Sequence, residues 1–396
     1  MQENLEQIFE AFCCRDSSAI QLMLEEFRTF LRIKWCGVVG GGGVNLRIQK
    51  IYAKLAQQNL NGLIVSSPAN ISYLTNYTSR DSYLLISRKS NIYFTDSRYI
   101  EETKKNLKGL ALVKKVNGSV FKIIADICRS LSLKRIGFEE RYLPFAEHKK
   151  IKQELNKRGD LIPTYGLVEG LRQIKTAEEL EKIKKAIQIT IRAFKFIKGF
   201  ISPGKKEIEV AAELERFIRY NGARKEAFDI IVASGPNSSF PHHMTSQRKI
   251  KNNEPVLVDI GVEYLGYKSD LTRVFFLGKI SPAVKKIYDI VRKAQDKAIK
   301  NIKPAVHINK IDTAARQYIT QEGYGGFFGH NLGHGIGLEV HEEPRISPKA
   351  EGILKPNMVF TVEPAIYLPN KFGIRLEDIV LVTKKGCSVL SGSLNK

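Results

Sequence analysis

The stretch PVLVDIGVEYLGYKSDLTRVFFLG, residues 255–278, predicts two strands joined by a tight turn. Two runs rich in β-branched and apolar residues flank the segment EYLG, which is the pattern of a β-hairpin. With the turn centred on Tyr264 and Leu265, Asp259 is expected directly opposite Asp270. Residues opposite each other in an antiparallel pair have side chains on one face, with Cβ atoms about 5 Å apart. Each aspartate interrupts an apolar strand, so the sequence predicts two carboxylates that face each other.

A second hairpin repeats this arrangement in MVFTVEPAIYLPNKFGIRLEDIVLV, residues 358–382. The segment LPNKFG turns the chain, and pairing about that centre sets Glu363 opposite Glu377. Four converging carboxylates repel one another, by about 4 kcal/mol per pair at 4 Å and an effective dielectric constant near 20. A pair of divalent cations would offset this repulsion, because carboxylates and an imidazole are ligands for such ions. The alternative is that all four are ordinary strand acids facing solvent.

Three histidines, His330, His334 and His341, lie within FFGHNLGHGIGLEVHEEP, residues 327–344. Histidines at this density indicate metal binding or proton transfer. The glycines between them disfavour a helix, which argues against the competing interpretation of a helical HxxxH zinc pair. The stretch is therefore expected to supply the imidazole that accompanies the four carboxylates.

The segments VDIGVEYLGYKSDLTRVF, GHGIGLEVHEEP, VFTVEPAIY and IRLEDIVLV resemble the metal-site motifs of the creatinase-like, or pita-bread, metallopeptidases. That family includes methionine aminopeptidases, Xaa-Pro aminopeptidases (aminopeptidase P) and Xaa-Pro dipeptidases (prolidases). The resemblance implies two divalent metal ions and five protein ligands. Asp259 would bind one ion, His334 and Glu363 the other, and Asp270 and Glu377 would bridge both. Mn²⁺ is the expected ion, with Co²⁺, Fe²⁺ and Zn²⁺ as alternatives.

The resemblance also implies a mechanism. A hydroxide held between the two metals would attack the peptide carbonyl. Glu363 would pass a proton to the departing nitrogen, and His341 and His242 would donate hydrogen bonds to the developing oxyanion. His242 ends the loop ASGPNSSFPHH together with His243, which matches the family more loosely and is expected to be a surface histidine.

Three further residues are expected around the metals. His330 resembles a substrate-pocket histidine of the proline-specific members of the family. Arg345 falls where those members present a basic residue to the substrate, with a solvated surface arginine as an equal interpretation. Arg375 is expected to orient the site acids by ion pairing.

The function implied by the resemblance is that of an exopeptidase releasing the N-terminal residue from peptides with proline in second position. We favour an Xaa-Pro aminopeptidase, with an Xaa-Pro dipeptidase as the alternative. A methionine aminopeptidase is less expected, since those enzymes generally lack a preceding domain of the size of residues 44–170. The interpretation from another class is a basic binding protein of the same fold without catalysis.

Composition restricts the partners and the compartment. The formal net charge of +22 is spread over both large segments, and no nucleic-acid recognition motif accompanies it, so no specific nucleic-acid partner is expected. No apolar run approaches the roughly 18 to 20 residues of a membrane helix. Five cysteines without a CxxC pair, and acidic residues where a basic leader would stand, indicate the cytoplasm. A homodimer is expected by analogy with the family.

The sequence predicts an α+β protein that is divided into three segments. Residues 1–43 form an extension that ends in four glycines, a flexible break, and Val44 is a candidate for the true translation start. Residues 44–170 alternate strand-like runs, such as GLIVSS and NIYFTD, with helical patterns, which predicts a creatinase-type α/β domain. Residues 171–396 form the catalytic pita-bread domain, a curved antiparallel sheet covered by helices. Thr176 and Glu179 predict a capping box at the start of its first long helix.

Overall fold

The computed structural model describes residues 42–395 and divides the chain into two compact units, one ending at Tyr165 and one beginning at Gly166. The predicted extension, with its proposed start at Val44, mostly concerns residues 1–41, which lie outside the described residues. Gly42 and Gly43, expected in the flexible break, instead begin the first helix. Glycine is tolerated there because the first turn of a helix lacks intrahelical partners for its N–H groups. The predicted boundary at residues 170–171 stays a prediction.

The first unit is a mixed sheet accompanied by helices. Its strands are β1 (Gly62–Val65), β2 (Tyr83–Ser87), β3 (Asn91–Thr95), β4 (Leu112–Lys115), β5 (Arg135–Glu139) and β6 (Asp160–Thr164). Its helices are α1 (Gly42–Gln57), α2 (Pro68–Thr75), α3 (Ile100–Asn106), α4 (Val120–Ser130) and α5 (Phe145–Leu155). The strand order is β4-β3-β2-β1-β5-β6, with β1 antiparallel to β2 and parallel to β5. The apolar runs GLIVSS and NIYFTD therefore form strands, as the sequence predicts.

The second unit contains five α-helices and thirteen strands within residues 166–395. The helices are α6 (Glu169–Arg172), α7 (Ala177–Ile197), α8 (Glu207–Tyr220), α9 (Pro282–Lys300) and α10 (Ile308–Gln321). The strands before α9 are β7 (Lys225–Glu226), β8 (Ile231–Ser234), β9 (Pro255–Ile260), β10 (Val262–Tyr264), β11 (Tyr267–Lys268) and β12 (Leu271–Phe276). The strands after α10 are β13 (Gly333–Gly335), β14 (Glu342–Ile346), β15 (Val359–Val362), β16 (Ala365–Leu368), β17 (Phe372–Arg375), β18 (Asp378–Val382) and β19 (Cys387–Val389).

All strand pairs of this unit are antiparallel. Helices pack against both faces of the sheet that contains β15. Neighbouring residues of β15 illustrate the layering, since successive side chains of a strand point to opposite faces. Phe360 packs in an apolar cluster with α9 and α10, whereas Val359 packs with α7 and α8. The predicted capping box of Thr176 and Glu179 begins α7. This architecture agrees with the expected α+β class.

The first hairpin differs from its predicted register by two residues. Asp259 lies opposite Thr272, and not opposite Asp270, in the β9–β12 pair. The turn is centred on Leu265 and Gly266, whose φ angles of 49° and 84° suit a tight turn with two left-handed residues. A shift of two residues leaves every side chain on its original face, because the side-chain period of a strand is two. Asp259 and Asp270 therefore still share a face.

The second hairpin has the predicted register. Val362 pairs with Asp378 in β15–β18, and Ala365 pairs with Arg375 in β16–β17. Both pairs have the same register, so Glu363 falls opposite Glu377 in the short interval between them. The two hairpins thus bring all four carboxylates towards one place. Within residues 42–395, no helix combines the length and the apolar character needed to cross a bilayer.

Candidate metal centre

Four of the five expected metal ligands lie near a strand end or in a break between strands, and the fifth, His334, lies within a three-residue strand. Asp259 is near the end of β9, Asp270 directly precedes β12, and His334 is the middle residue of β13. Glu363 separates β15 from β16, and Glu377 separates β17 from β18. Regular strand pairing is interrupted at these breaks, so side chains from three sheets can meet there.

Three of these residues form a compact group. Ligand atoms of Asp270, His334 and Glu377 all lie within 4.8 Å of one another. His334 Nε2 is 3.6 Å from Asp270 Oδ2 and 3.3 Å from Glu363 Oε1. The other ring nitrogen, Nδ1, donates to the carbonyl of Gly335 across 3.1 Å. Because a carbonyl only accepts, Nε2 is the nitrogen left to face the carboxylates.

Three carboxylate oxygens in this group are buried without a hydrogen-bond partner among the described residues. They are Oδ1 of Asp259, Oδ1 of Asp270 and Oε1 of Glu377. A buried charged oxygen without a partner is strongly unfavourable, so native proteins pair such groups or bind metals with them. Carboxylate oxygens that lie close to one imidazole nitrogen are typical ligands of a divalent cation. The residues present therefore fit such ions.

Arg375 organises one wall of the site. Its Nη2 donates to Asp259 Oδ2 across 2.7 Å, and its Nε donates to the hydroxyl of Thr272 across 3.0 Å. That hydroxyl donates in turn to Glu377 Oε2 across 2.8 Å. Arg375 Nη1 also donates to the hydroxyl of Tyr367, at 2.6 Å. One buried guanidinium therefore fixes carboxylates from both hairpins.

The electrostatics of the group reflect an excess of negative charge. Burial raises the pKa of Asp270 and of Glu377 well above their usual values, and the neighbouring carboxylates raise both further. Burial also raises the pKa of Asp259, although the charge of Arg375 opposes the shift. Without added cations these acids cannot all ionise, which is the repulsion expected from the sequence.

Glu363 and His334 shift in the opposite sense, as an ion pair does. Burial acts to raise the pKa of Glu363, but the hydrogen bond and charge of His334 outweigh it and lower the pKa to about 2. Burial acts to lower the pKa of His334, and Glu363 outweighs that effect and raises it. Glu363 is thus a carboxylate at neutral pH and is able to accept a proton.

His330 is tied to the Arg375 wall rather than to the carboxylates. Its Nδ1 donates to the Asn331 carbonyl at 2.7 Å, and its Nε2 lies 3.3 Å from the Tyr367 hydroxyl. Burial lowers the pKa of His330, which keeps the ring neutral and leaves Nε2 as the acceptor. The helical HxxxH pair is wrong, because His334 lies on β13 and Nε2 of His330 faces Tyr367.

The remaining expected residues, His341, His242 and Arg345, lie near His334 or near one another. The His341 ring lies 4.1 Å from the His334 ring, centroid to centroid. The residue as a whole is exposed, but partial loss of water around its imidazole lowers the pKa of His341 to about 4. The charges of His334, His242 and Arg345 also lower this pKa. His242 is also exposed. Arg345 is exposed and pairs with His334 across β13 and β14.

His243 differs from its expected role as a surface histidine. Its side chain is only 12% exposed, and its Nε2 donates to Glu207 Oε2 across 3.0 Å. Glu207 is completely buried and was not singled out from the sequence. No sequence signal separates it from the other glutamates of α8, because its partners lie 27 to 39 residues further along the chain.

A second group that sequence analysis missed lies beside His341. The buried carboxylate of Glu342 contacts the guanidinium of Arg172 and the ammonium of Lys175. Arg172 also reaches Glu339, at 2.8 Å. This buried ion cluster connects the start of the unit to the histidine segment.

Comparison with known proteins agrees with the fold. Residues 47–174 match the creatinase/prolidase N-terminal domain, and residues 181–384 match metallopeptidase family M24. A curated Xaa-Pro dipeptidase from Pyrococcus horikoshii is 34% identical over 351 residues, which span 88% of this chain and 97% of the relative.

Two solved structures are similar over nearly their whole length. An Xaa-Pro dipeptidase from Bacillus anthracis has a TM-score of 0.86 and 38% identity, covering 89% of this chain and 99% of that one. An X-Pro aminopeptidase from Thermotoga maritima MSB8 has a TM-score of 0.79 and 36% identity, covering 87% and 97%. The expected pita-bread fold and hydrolase class are confirmed, and the chain belongs to metallopeptidase family M24, with an N-terminal domain of the creatinase/prolidase type.

Proposed function

We propose that this protein hydrolyses the peptide bond that precedes proline in Xaa-Pro dipeptides, with two divalent metal ions as its cofactors. The observation that carries the proposal is the set of three buried carboxylate oxygens, from Asp259, Asp270 and Glu377, that have no hydrogen-bond partner among the described residues. Metal ions are the partners that would satisfy them.

The five expected ligands are assigned as the family resemblance implies. Asp259 would bind one ion, His334 and Glu363 the other, and Asp270 and Glu377 would bridge the two. The oxygen-rich set favours Mn²⁺, with Co²⁺, Fe²⁺ and Zn²⁺ as alternatives. When bound, the two ions supply an activated water and polarise the peptide carbonyl.

The chain's own residues would hold the substrate and move its protons. Glu363, a carboxylate at neutral pH, would accept a proton and deliver it to the departing proline nitrogen. His341 and His242 would donate hydrogen bonds to the developing oxyanion. A neutral His341 fits this role, since its lowered pKa leaves one ring N–H to donate without competing with the metals for charge.

The positive charge of Arg345 supports a dipeptide as the substrate. Arg345, which is exposed and pairs with His334 across two strands, would bind the free carboxylate of the dipeptide. His330 would contact the same end of the substrate, beside the hydroxyl of Tyr367. A cation on the strand beside His334 would favour a short substrate, because a longer peptide carries its carboxylate further away.

The relatives support the dipeptidase over the aminopeptidase that we favoured from the sequence. The names of the Pyrococcus horikoshii and Bacillus anthracis proteins state an Xaa-Pro dipeptidase. The Xaa-Pro aminopeptidase remains the second candidate, because the similar Thermotoga maritima structure carries that name.

A substrate comparison tests the proposal. The metal-loaded protein is assayed with an Xaa-Pro dipeptide and with the same dipeptide extended by one residue. We expect the dipeptide to have the higher kcat/KM by at least about 10-fold, the scale of one lost charged hydrogen bond. A preference for the tripeptide would favour the aminopeptidase, and turnover of neither would refute both. Asp270→Ala should abolish turnover and metal retention.

The expected partners and setting are also part of the proposal. The substrates would be peptides in the cytoplasm, and neither a specific nucleic acid nor a membrane would be bound. A homodimer is expected from the family resemblance. Light scattering on the purified protein measures its mass in solution, and a monomer at assay concentrations would contradict the dimer.

A further inference from the structure

Glu207, the first residue of α8, is a buried carboxylate with an unusual number of donors. Its two oxygens accept seven hydrogen bonds, from Ser234, Asn237, His243 and Ser246. The shortest are 2.6 Å from the Ser246 hydroxyl and 2.7 Å from both the amide and the hydroxyl of Ser234. All four donors lie in residues 234–246, which we call the histidine loop because it contains His242 and His243.

The donors indicate that Glu207 is ionised despite complete burial. Burial acts to raise the pKa of Glu207, but hydrogen bonds from Ser246, Ser234 and His243 outweigh it and lower the pKa. The amino end of a helix also favours a negative charge. A charged acceptor with every lone pair engaged has one low-energy arrangement, so it fixes the loop more sharply than an apolar contact would.

The opposite side of the histidine loop is attached to the metal centre. The Pro241 carbonyl accepts a hydrogen bond from Arg375 Nη1 across 3.1 Å. The Ser238 hydroxyl accepts from the Gly373 amide at 2.9 Å. A Cβ atom on Gly373 would lie 2.1 Å from the Ser238 carbonyl oxygen, so the loop lies directly on β17. Glu207 and β17 thus both hold the loop that carries His242.

We propose that Glu207 is a positioning residue that holds the histidine loop, and with it the His242 imidazole and the Pro241 carbonyl, in register with the metal centre. His242 is exposed, so its place depends on the backbone that carries it. The inference rests on the proposed peptidase function for its kinetic consequence, while its effect on the loop is independent of that function.

The first test is kinetic and uses the full-length, metal-loaded protein. In Glu207→Gln we expect kcat for an Xaa-Pro dipeptide to fall about 10- to 100-fold, the scale of a small misplacement of a catalytic group, with KM changed less than about 3-fold. Bound metal per chain should stay unchanged. His242→Ala should cost little more in the Glu207→Gln background, because both changes remove the same interaction. Glu215→Gln, exposed on the same helix, is the matched control. Multiplying effects of the two changes, or loss of metal, would overturn the proposal.

The second test does not need activity. Hydrogen exchange is measured by mass spectrometry on metal-loaded wild type, Glu207→Gln and the milder Ser246→Ala. We expect exchange in the peptides of residues 234–246 to accelerate at least about 10-fold in Glu207→Gln, with peptides of β15 and β18 unchanged. Uniform acceleration across the unit, or no change in the loop, would refute the positioning role. If the wild type turned over no Xaa-Pro substrate while the loop responded as expected, the proposed function alone would fail.

Discussion

Arg375 donates a hydrogen bond from Nη2 to Oδ2 of Asp259 across 2.7 Å, and both side chains are buried. The two residues come from different hairpins, and this ion pair is one of the links that hold the hairpins together at the centre. Burial and the neighbouring carboxylates raise the pKa values of Asp259, Asp270 and Glu377, and the positive charge of Arg375 opposes this rise. On the proposed metal assignment, the guanidinium and the metal ions would together neutralise the carboxylates.

This sharing predicts how Arg375→Met behaves. Removing one partner of a buried pair costs about 3–5 kcal/mol of unfolding free energy, because the other charge stays buried. Bound metal would neutralise part of that charge, so the loss should be larger in a chelator than in Mn²⁺. Urea unfolding under both conditions measures the difference, with the exposed Arg88→Met as control. Equal losses under both conditions would contradict shared neutralisation.

The two hairpins differ in how well the sequence determined them. LPNKFG occupies the whole bend of the second hairpin, so Glu363 and Glu377 were paired correctly. EYLG offers several centres, and the choice between them depends on which residues adopt positive φ. The structure gives that role to Leu265 and Gly266, and the register moved by two. The face of the strand on which each acid lies was still predicted correctly, because that prediction needs only the alternation of the acid with apolar neighbours.

Long-range polar groups were beyond sequence reasoning. Arg172 and Glu342 are 170 residues apart, and neither lies in a pattern that distinguishes a buried charge from a surface one. The same holds for Glu207 and its loop. Periodicity reports which face of an element is buried, whereas partners of a buried charge are set by packing between distant elements. The roles of the site residues therefore stay predictions to be tested.

The corrected turn predicts a stabilising substitution. Leu265 has a φ of 49°, a left-handed conformation that costs a branched residue about 1 kcal/mol and that asparagine tolerates. Leu265→Asn should therefore raise the free energy of unfolding by about 0.5–1 kcal/mol. Thermal unfolding would detect it as a rise in Tm of a few degrees. Leu265→Gln, equally polar but without that tolerance, is the control, and an equal gain from both would count against the conformational explanation.

The raised acid pKa values predict how the metal-free protein responds to pH. A group whose pKa is higher in the folded state binds more protons when folded, so its contribution to stability is lost as the pH rises. For Asp270 and Glu377 the loss begins above their ordinary values of 3.8 and 4.5. In a chelator, stability should therefore fall as the pH rises above about 4.5.

Divalent metal should remove this dependence, because cations replace the protons. Unfolding midpoints at several pH values, with chelator and with Mn²⁺, give the measurement. The double variant Asp270→Asn/Glu377→Gln should show a smaller fall with chelator, since it cannot take up those protons. A slope that this variant leaves unchanged would assign the effect to other groups.

The buried ion cluster of Glu342 predicts a large loss of stability. In Glu342→Ala the guanidinium of Arg172 and the ammonium of Lys175 lose their shared carboxylate while staying buried. We expect the free energy of unfolding to fall by about 3–5 kcal/mol. Glu351→Ala, an exposed glutamate later in the chain, should change it by less than about 0.5 kcal/mol. Chemical unfolding of both variants provides the test, and similar small losses would mean that the cluster adds little.

Arg345 makes the sharpest prediction about substrate choice. If its guanidinium binds the free carboxylate of a dipeptide, Arg345→Ala should raise KM for an Xaa-Pro dipeptide about 10- to 100-fold, the equivalent of one charged hydrogen bond. The same dipeptide with its carboxylate converted to an amide should show little change, because it offers no charge to lose. Lys349→Ala, at an exposed position four residues further along the chain, controls for the general loss of a positive charge. Steady-state kinetics on both substrates decide the matter. Equal effects on acid and amide would assign Arg345 to the solvated surface, the second interpretation of its position in the sequence.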